Sequence, residues 1–180
     1  MTDPAPDPQP DPLTAGDPPP RRRDLLGLVS GGEGTITGTV VCAAVIAYAG
    51  GHVASTAELC AAILGTVLVY WLAHLHAVTL GSSLTHRHHP VIALRHAVRE
   101  TVPIIGASVA PVLVLVVSSL AGADLLTSAW IALVVTIGLL TGYSYLAGAR
   151  GGLDMGGRIA SAAAGAALGI LVALLKVALH

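Results

Sequence analysis

The sequence predicts an all-α, polytopic membrane protein with five transmembrane helices, its N-terminus cytoplasmic and its C-terminus external. Three observations predict it. Charged residues make up 11% of the chain and hydrophobic residues 54%, whereas a soluble domain carries about 25% charged residues. Five apolar stretches each reach roughly the 20 residues needed to cross about 30 Å of hydrocarbon. Eight of the nine basic residues fall in every second connection, on one side of the membrane: Arg21, Arg22 and Arg23, then Arg87, Arg95 and Arg99, then Arg150 and Arg158. Only Lys176 falls on the other side. Lys and Arg stay in the cytoplasm during insertion, which sets the orientation.

Residues 1–24 are rich in alternating Asp and Pro and carry the arginine triplet just before Asp24. Such a segment builds neither helix nor core, so a disordered cytoplasmic tail is expected. It does not read as a signal peptide, because an acidic leader precedes the arginines and Gly31, Gly32 and Gly34 soon break the apolar run. Residues 25–180 form the transmembrane domain, with spans expected at about 35–54, 59–80, 102–121, 127–148 and 159–179. The connections 52–57 and 122–126 are short, as in antiparallel hairpins. The longest, 81–101, is cytoplasmic and rich in His and Arg.

Span one opens on Gly31-Gly32-Glu33-Gly34, which has no strand context for a phosphate loop. Span two carries two ionisable side chains inside the hydrocarbon, His74 and His76. Such residues are costly there and raise a functional question by default. Either imidazole could ligate metal or shuttle a proton; a hydrogen bond to a neighbouring helix is the plainer use. Span three contains Pro103 in its first turn and Pro111 near its middle, where a kink is expected and a carbonyl near Ala107 should be freed. In span five, Gly157, Ser161, Gly165, Gly169 and Ala173 recur every four residues. Small residues at that spacing let helix backbones approach closely. They serve either packing within the chain or a homodimer seam. Gly34 with Gly38, and Gly138 with Gly142, repeat the pattern.

The cytoplasmic connection gathers His86, His88, His89 and His96 beside Arg87, Arg95 and Arg99. From Val91 onward it can form an amphipathic helix. The arginines suit anionic lipid headgroups, and neighbouring imidazoles suit transient capture of a divalent ion such as Fe, Mn or Zn. Cys42 and Cys60 lie at different depths, so no bridge is expected. No basic patch interleaved with aromatics points to nucleic acid. No catalytic motif of the G-x-S-x-G or H-E-x-x-H kind is present, so an enzyme is not expected.

The segment GGEGTITGTVV (Gly31–Val41) is similar to the N-D-G-I-V-T entry into the first span of the vacuolar iron transporter (Ccc1-like) family, with Glu33 where that family has Asp. GLLTGYSYLAGARGG and RIASAAAGAALGILVALL resemble its last two spans. The resemblance is remote. Here YWLAHLHAVTLG stands where the family has a Met- and Glu-bearing segment, and the long cytoplasmic metal-binding insertion is missing. The resemblance implies five spans, a dimer, and a translocation path through Glu33, His74 and His76.

These readings lead to three expectations. The first is a small, dimeric transporter for an iron- or manganese-like divalent cation in a bacterial inner membrane, open to proton coupling through its histidines, with His86, His88 and His89 raising the local ion concentration. The second is a non-transporting membrane subunit or scaffold that binds a partner protein through its small-residue faces. The third is a proton or anion channel.

Overall fold

The computed structural model describes residues 32–86 and 90–178. The N-terminal tail, Arg87, His88 and His89 lie outside the described residues. Among the described residues six helices follow in order: α1 (Glu33–Ala49), α2 (Thr56–His86), α3 (Pro90–Gly106), α4 (Val109–Leu120), α5 (Leu125–Arg150) and α6 (Met155–Ala178). The protein is an all-helical polytopic membrane protein. Among the described residues, four segments are long and apolar enough to cross a membrane: Thr56–Gly81, Ala97–Leu120, Leu125–Arg150 and Met155–Ala178. The second of these joins the last part of α3, from Ala97, to α4.

The fifth apolar helix, α1, is the shortest at 17 residues, about 25 Å at 1.5 Å per residue. It is also the most enclosed, touching α2, α3, α5 and α6. Its residues explain both facts. Thr35, Gly38, Thr39, Cys42, Ala43 and Ala47 are small and buried, and no one face is more apolar than another. A helix that is apolar all round belongs inside a bundle.

The outer helices show the complementary pattern. Leu64, Leu68, Val69 and Leu72 on α2, and Ile170, Leu171, Leu174 and Leu175 on α6, are large, apolar and exposed. In water such a belt would aggregate; in a bilayer it faces acyl chains.

Local chemistry sets the helix ends, and it moves several from where hydropathy alone would put them. α1 stops five residues before the expected end of span one, because the chain turns at Gly50, whose N–H still bonds the Ile46 carbonyl at 3.1 Å. α2 starts three residues before its expected span. Ser55 accepts the Glu58 N–H (3.2 Å), while the Glu58 carboxylate accepts the Ala54 N–H (2.9 Å), a close variant of a capping box. Asp124 caps α5 by accepting the Thr127 N–H, and Asp154 caps α6 by accepting the Gly157 N–H at 2.9 Å. α4 and α5 both end at glycines with positive φ, Gly122 (89°) and Gly152 (76°). At each, an N–H reaches back five residues, Ala123 to Ser118 and Leu153 to Gly148, which satisfies terminal carbonyls in a Schellman turn.

Where the sequence suggests a loop over residues 81–101, α2 continues to His86 and α3 begins at Pro90. α2 therefore has 31 residues and is about 46 Å long, more than a bilayer core of about 30 Å requires.

The small-residue stripe of α6 is spent within the chain. A Cβ on Gly165 would collide with Ser144 and come within 3.0 Å of the Leu140 carbonyl. One on Gly169 would meet Ile137 at 2.7 Å, and one on Gly148 would meet the Ser161 hydroxyl at 2.9 Å. Gly157 faces its own N-terminal turn, with Leu153 at 2.9 Å. α5 and α6 are thus a tightly closed antiparallel hairpin. Gly138 and Gly142, on the outer face of α5, have nothing within 4 Å. Cys42 and Cys60 are both free thiols.

Candidate functional site: a broken span against the central helix

Span three is discontinuous. α3 ends at Gly106 and α4 starts at Val109, with Ala107 and Ser108 forming a turn between them. The break lies ten residues from Ala97, about 15 Å into the span, near its midpoint. Pro111 causes it. Having no N–H, it cannot serve the Ala107 carbonyl four residues back. The Ser108 N–H turns to Ile105 O at 3.0 Å instead of Ile104 O. Ile104 and Ala107 are thus among the carbonyls that lose the i+4 donor a continuous helix would give them. The expected kink is present, as an interruption just before the proline.

Ser108 is buried, and its hydroxyl donates to the Ile105 carbonyl at 2.7 Å. Across the break stands α1. A Cβ added to Gly38 would lie 2.5 Å from Ile104 O and 2.9 Å from the Ala107 Cβ. The missing side chain of Gly38 is what lets the central helix reach the freed carbonyl. A Cα–H contact is the modest substitute available to that oxygen.

Around this point, buried hydroxyls mostly bond their own helix. Thr39 donates to Thr35 O (2.7 Å), Thr101 to Ala97 O (2.8 Å) and Thr136 to Ala132 O (2.6 Å). Such back-bonding satisfies a hydroxyl in lipid and tends to bend the helix. Thr101 also accepts the Trp71 indole N–H at 3.0 Å, tying α2 to α3.

The residues singled out from sequence are distributed as follows. Glu33 is the first residue of α1 and is exposed. His74 is half-buried on α2, its ring stacked on Tyr70 with centroids 6.0 Å apart. Glu33 is sixteen residues from Ala49 and His74 eighteen from Thr56, about 24 and 27 Å from the opposite end of the bundle. Each thus stands a similar length of helix from its end of the α1–α2 connection. His76 is exposed and on another face of α2. Arg95 and Arg99 are exposed one turn apart on α3. The side chain of His86 lies outside the described residues, with Arg87, His88 and His89. Among the described residues, no group of three or more His, Cys, Asp or Glu side chains is arranged to hold a metal ion.

Sequence reasoning used Lys176 only to count charges, and this residue holds a special place. Its position near a helix end would let the side chain snorkel to water. Instead Lys176 is 3% exposed. Its ammonium lies 5.1 Å from the Trp130 ring centroid, within cation–π range, and 3.2 Å from where a Gly50 Cβ would stand. A signal was present: Lys176 lies seven residues after Gly169, about 20° away around the helix, on the inward stripe. Ser128, two residues before Trp130, is fully buried, and its hydroxyl has no hydrogen-bond partner among the described residues.

No family model matches the chain, and neither a curated protein nor a solved structure does.

Proposed function

We propose that this membrane protein is a small transporter for a divalent metal cation of the iron or manganese kind, with the broken third span as its moving part. The break at Gly106–Ser108 carries this reading. An interrupted helix near the bilayer midplane is where membrane transporters build ion sites, because unwound carbonyls and half-helix ends supply the ligands and the hinge. Ile104 O and Ala107 O are hard oxygen donors of the type that such cations accept. Glu33 and His74, both toward the arginine end, would receive the ion, and His76, His86, His88 and His89 would raise its concentration nearby. The similarity of Gly31–Val41 to the first span of the vacuolar iron transporter family points the same way. The positive-inside rule puts the arginine end in the cytoplasm, with Arg87, Arg95 and Arg99 against anionic headgroups. A bacterial inner membrane and a homodimer complete the proposal, and a dimer seam would use a face other than the stripe that α5 occupies.

Proteoliposomes loaded with a metal-quenched dye test it. Mn²⁺ or Fe²⁺ should enter vesicles that hold the protein, and Glu33→Ala or His74→Ala should slow entry. Flux unchanged in both variants removes the path.

A second reading has its own observation. The outer face of α2 carries a shallow groove of about 510 Å³ lined by Gly65, Thr66, Val69, Tyr70 and Ala73. That is a surface a partner helix could fill if the chain is a membrane subunit. Stoichiometric co-purification of one other protein, with no metal flux, would favour it.

A further inference from the structure

We propose that Lys176 is the gate at the far end of the transport path: a tethered ammonium lodged at the carbonyl end of α1, where it occupies the place through which a cation would leave. The inference rests on the transport reading above and adds a residue and a device to it.

Three independent observations carry it. The first is direction: a lysine two residues from the last residue of α6 (Ala178) turns inward and is 3% exposed, although water is within reach of its chain. Burying an ammonium this way costs free energy that snorkelling would avoid. The second is the receiving surface. Gly50 ends α1, and its missing side chain leaves room for the ammonium, which stands 3.2 Å from the absent Cβ, with Ala129 at 3.0 Å on the same spot. The carboxyl end of a helix carries a partial negative charge and favours a cation. The third is the lid. Trp130 lies with its ring centroid 5.1 Å from the ammonium, so the charge is held by α1, α5 and α6 at once. Beside this cluster in sequence stands the buried hydroxyl of Ser128.

α1 also borders the mid-span break, through Gly38 and Ile104. One short helix thus joins the proposed ion site to the lysine at its other end. A metal cation emerging along α1 and the Lys176 ammonium compete for the same electronegative helix end, so one must move for the other to pass. Fixing α1 to α5 and α6 keeps the exit shut while the site is open to the arginine side, as alternating access requires.

The chain's own thiols report on this. Cys42 is fully buried on α1, seven residues, or about 10 Å, from the Lys176 end. In full-length Cys60→Ser protein in vesicles, a membrane-impermeant thiol reagent should label Cys42 slowly. Lys176→Met keeps the apolar bulk and removes the charge, and should speed labelling about tenfold, as expected when a closed state loses its tether. Trp130→Leu, which keeps the lysine but removes its lid, should speed labelling less, and it serves if Lys176→Met does not fold. Passive Mn²⁺ leak should rise in both. Melting temperature separates gating from damage: faster labelling counts as gating in a variant that melts within about 3 °C of the parent, and as damage in one that melts far lower. Labelling that stays slow in both variants overturns the gate, whatever the flux. Faster labelling with no Mn²⁺ or Fe²⁺ flux in the parent protein overturns the transport reading on which the gate depends.

Discussion

The indole N–H of Trp71 donates to the hydroxyl of Thr101 at 3.0 Å, and the same hydroxyl donates to the Ala97 carbonyl at 2.8 Å. This chain of two bonds fixes α2 to α3 one and a half turns before the break. It gives the broken span a firm half, α3, against which α4 could move.

Removing that bond is the simplest test of its role. Trp71→Phe keeps much of the apolar surface and loses the donor. Interhelical hydrogen bonds in membranes are worth about 0.6 kcal/mol on average, so the melting temperature should fall by about 1–3 °C for a chain of this size. Thr101→Val should cost a similar amount, and the double variant should cost less than the sum. Thermal unfolding in detergent, followed by circular dichroism, measures all three. Full additivity would mean that the pair does not act together.

The α5–α6 hairpin makes a sharper prediction. Gly165→Val inserts a branched side chain where even a Cβ collides with Ser144, so the helices must part. A loss of about 1–3 kcal/mol is expected, the range for an overpacked core, less a few tenths for the better helix propensity of valine over glycine. Gly142→Ala is the control. Nothing lies within 4 Å of its Cβ position, and alanine favours helix over glycine by about 1 kcal/mol, so it should be neutral or mildly stabilising. Equal losses in the two would contradict the packing described.

Acid should weaken the turn between α4 and α5. The hydroxyl and backbone N–H of Thr127 donate to the Asp124 carboxylate at 2.6 and 3.2 Å. The hydroxyl contributes most to holding this carboxyl below its usual range, and the backbone N–H adds to it. The folded state thus holds the proton less tightly than the unfolded state. The cap's contribution is fully present above the ordinary carboxylate range and is lost as pH falls through the depressed value. Asp124→Asn can still cap but does not titrate there. Its stability should fall less than that of the parent between pH 5 and pH 3, measured by thermal melts in detergent. Parallel curves would remove Asp124 from the acid response.

The parts of the fold legible in the sequence are those set by composition and by single residues. Long apolar runs gave the spans, and Pro111 gave the interruption to within a few residues, because a missing N–H acts locally. The ends of α1 and α2 were misplaced because hydropathy does not see caps, although Ser55-x-x-Glu58 was there to be read. The α6 stripe was legible as a close-packing surface, but its partner was not. Periodicity shows that Gly165 and Gly169 share a face, and only the fold shows that Ser144 and Ile137 fill it. Lys176 was missed because a lysine near a helix end is ordinarily an anchor in water. Its inward turn depends on the space at Gly50, which belongs to another helix.

Pro111→Ala puts the proposed moving part under direct test. Alanine restores an N–H opposite the Ala107 carbonyl and permits α3 and α4 to join into one helix. A recovered backbone hydrogen bond contributes about 1 kcal/mol. Against it, the more flexible unfolded chain costs about 0.4–1 kcal/mol. The melting temperature should therefore shift by no more than about 2–3 °C. Transport should respond far more: a continuous, stiffer span lacks the hinge and the freed carbonyls, so Mn²⁺ or Fe²⁺ flux should fall by about tenfold or more. Stability and flux measured on the same preparation decide it. A variant as stable as the parent that transports as fast would show that the interruption is only a packing solution around Gly38.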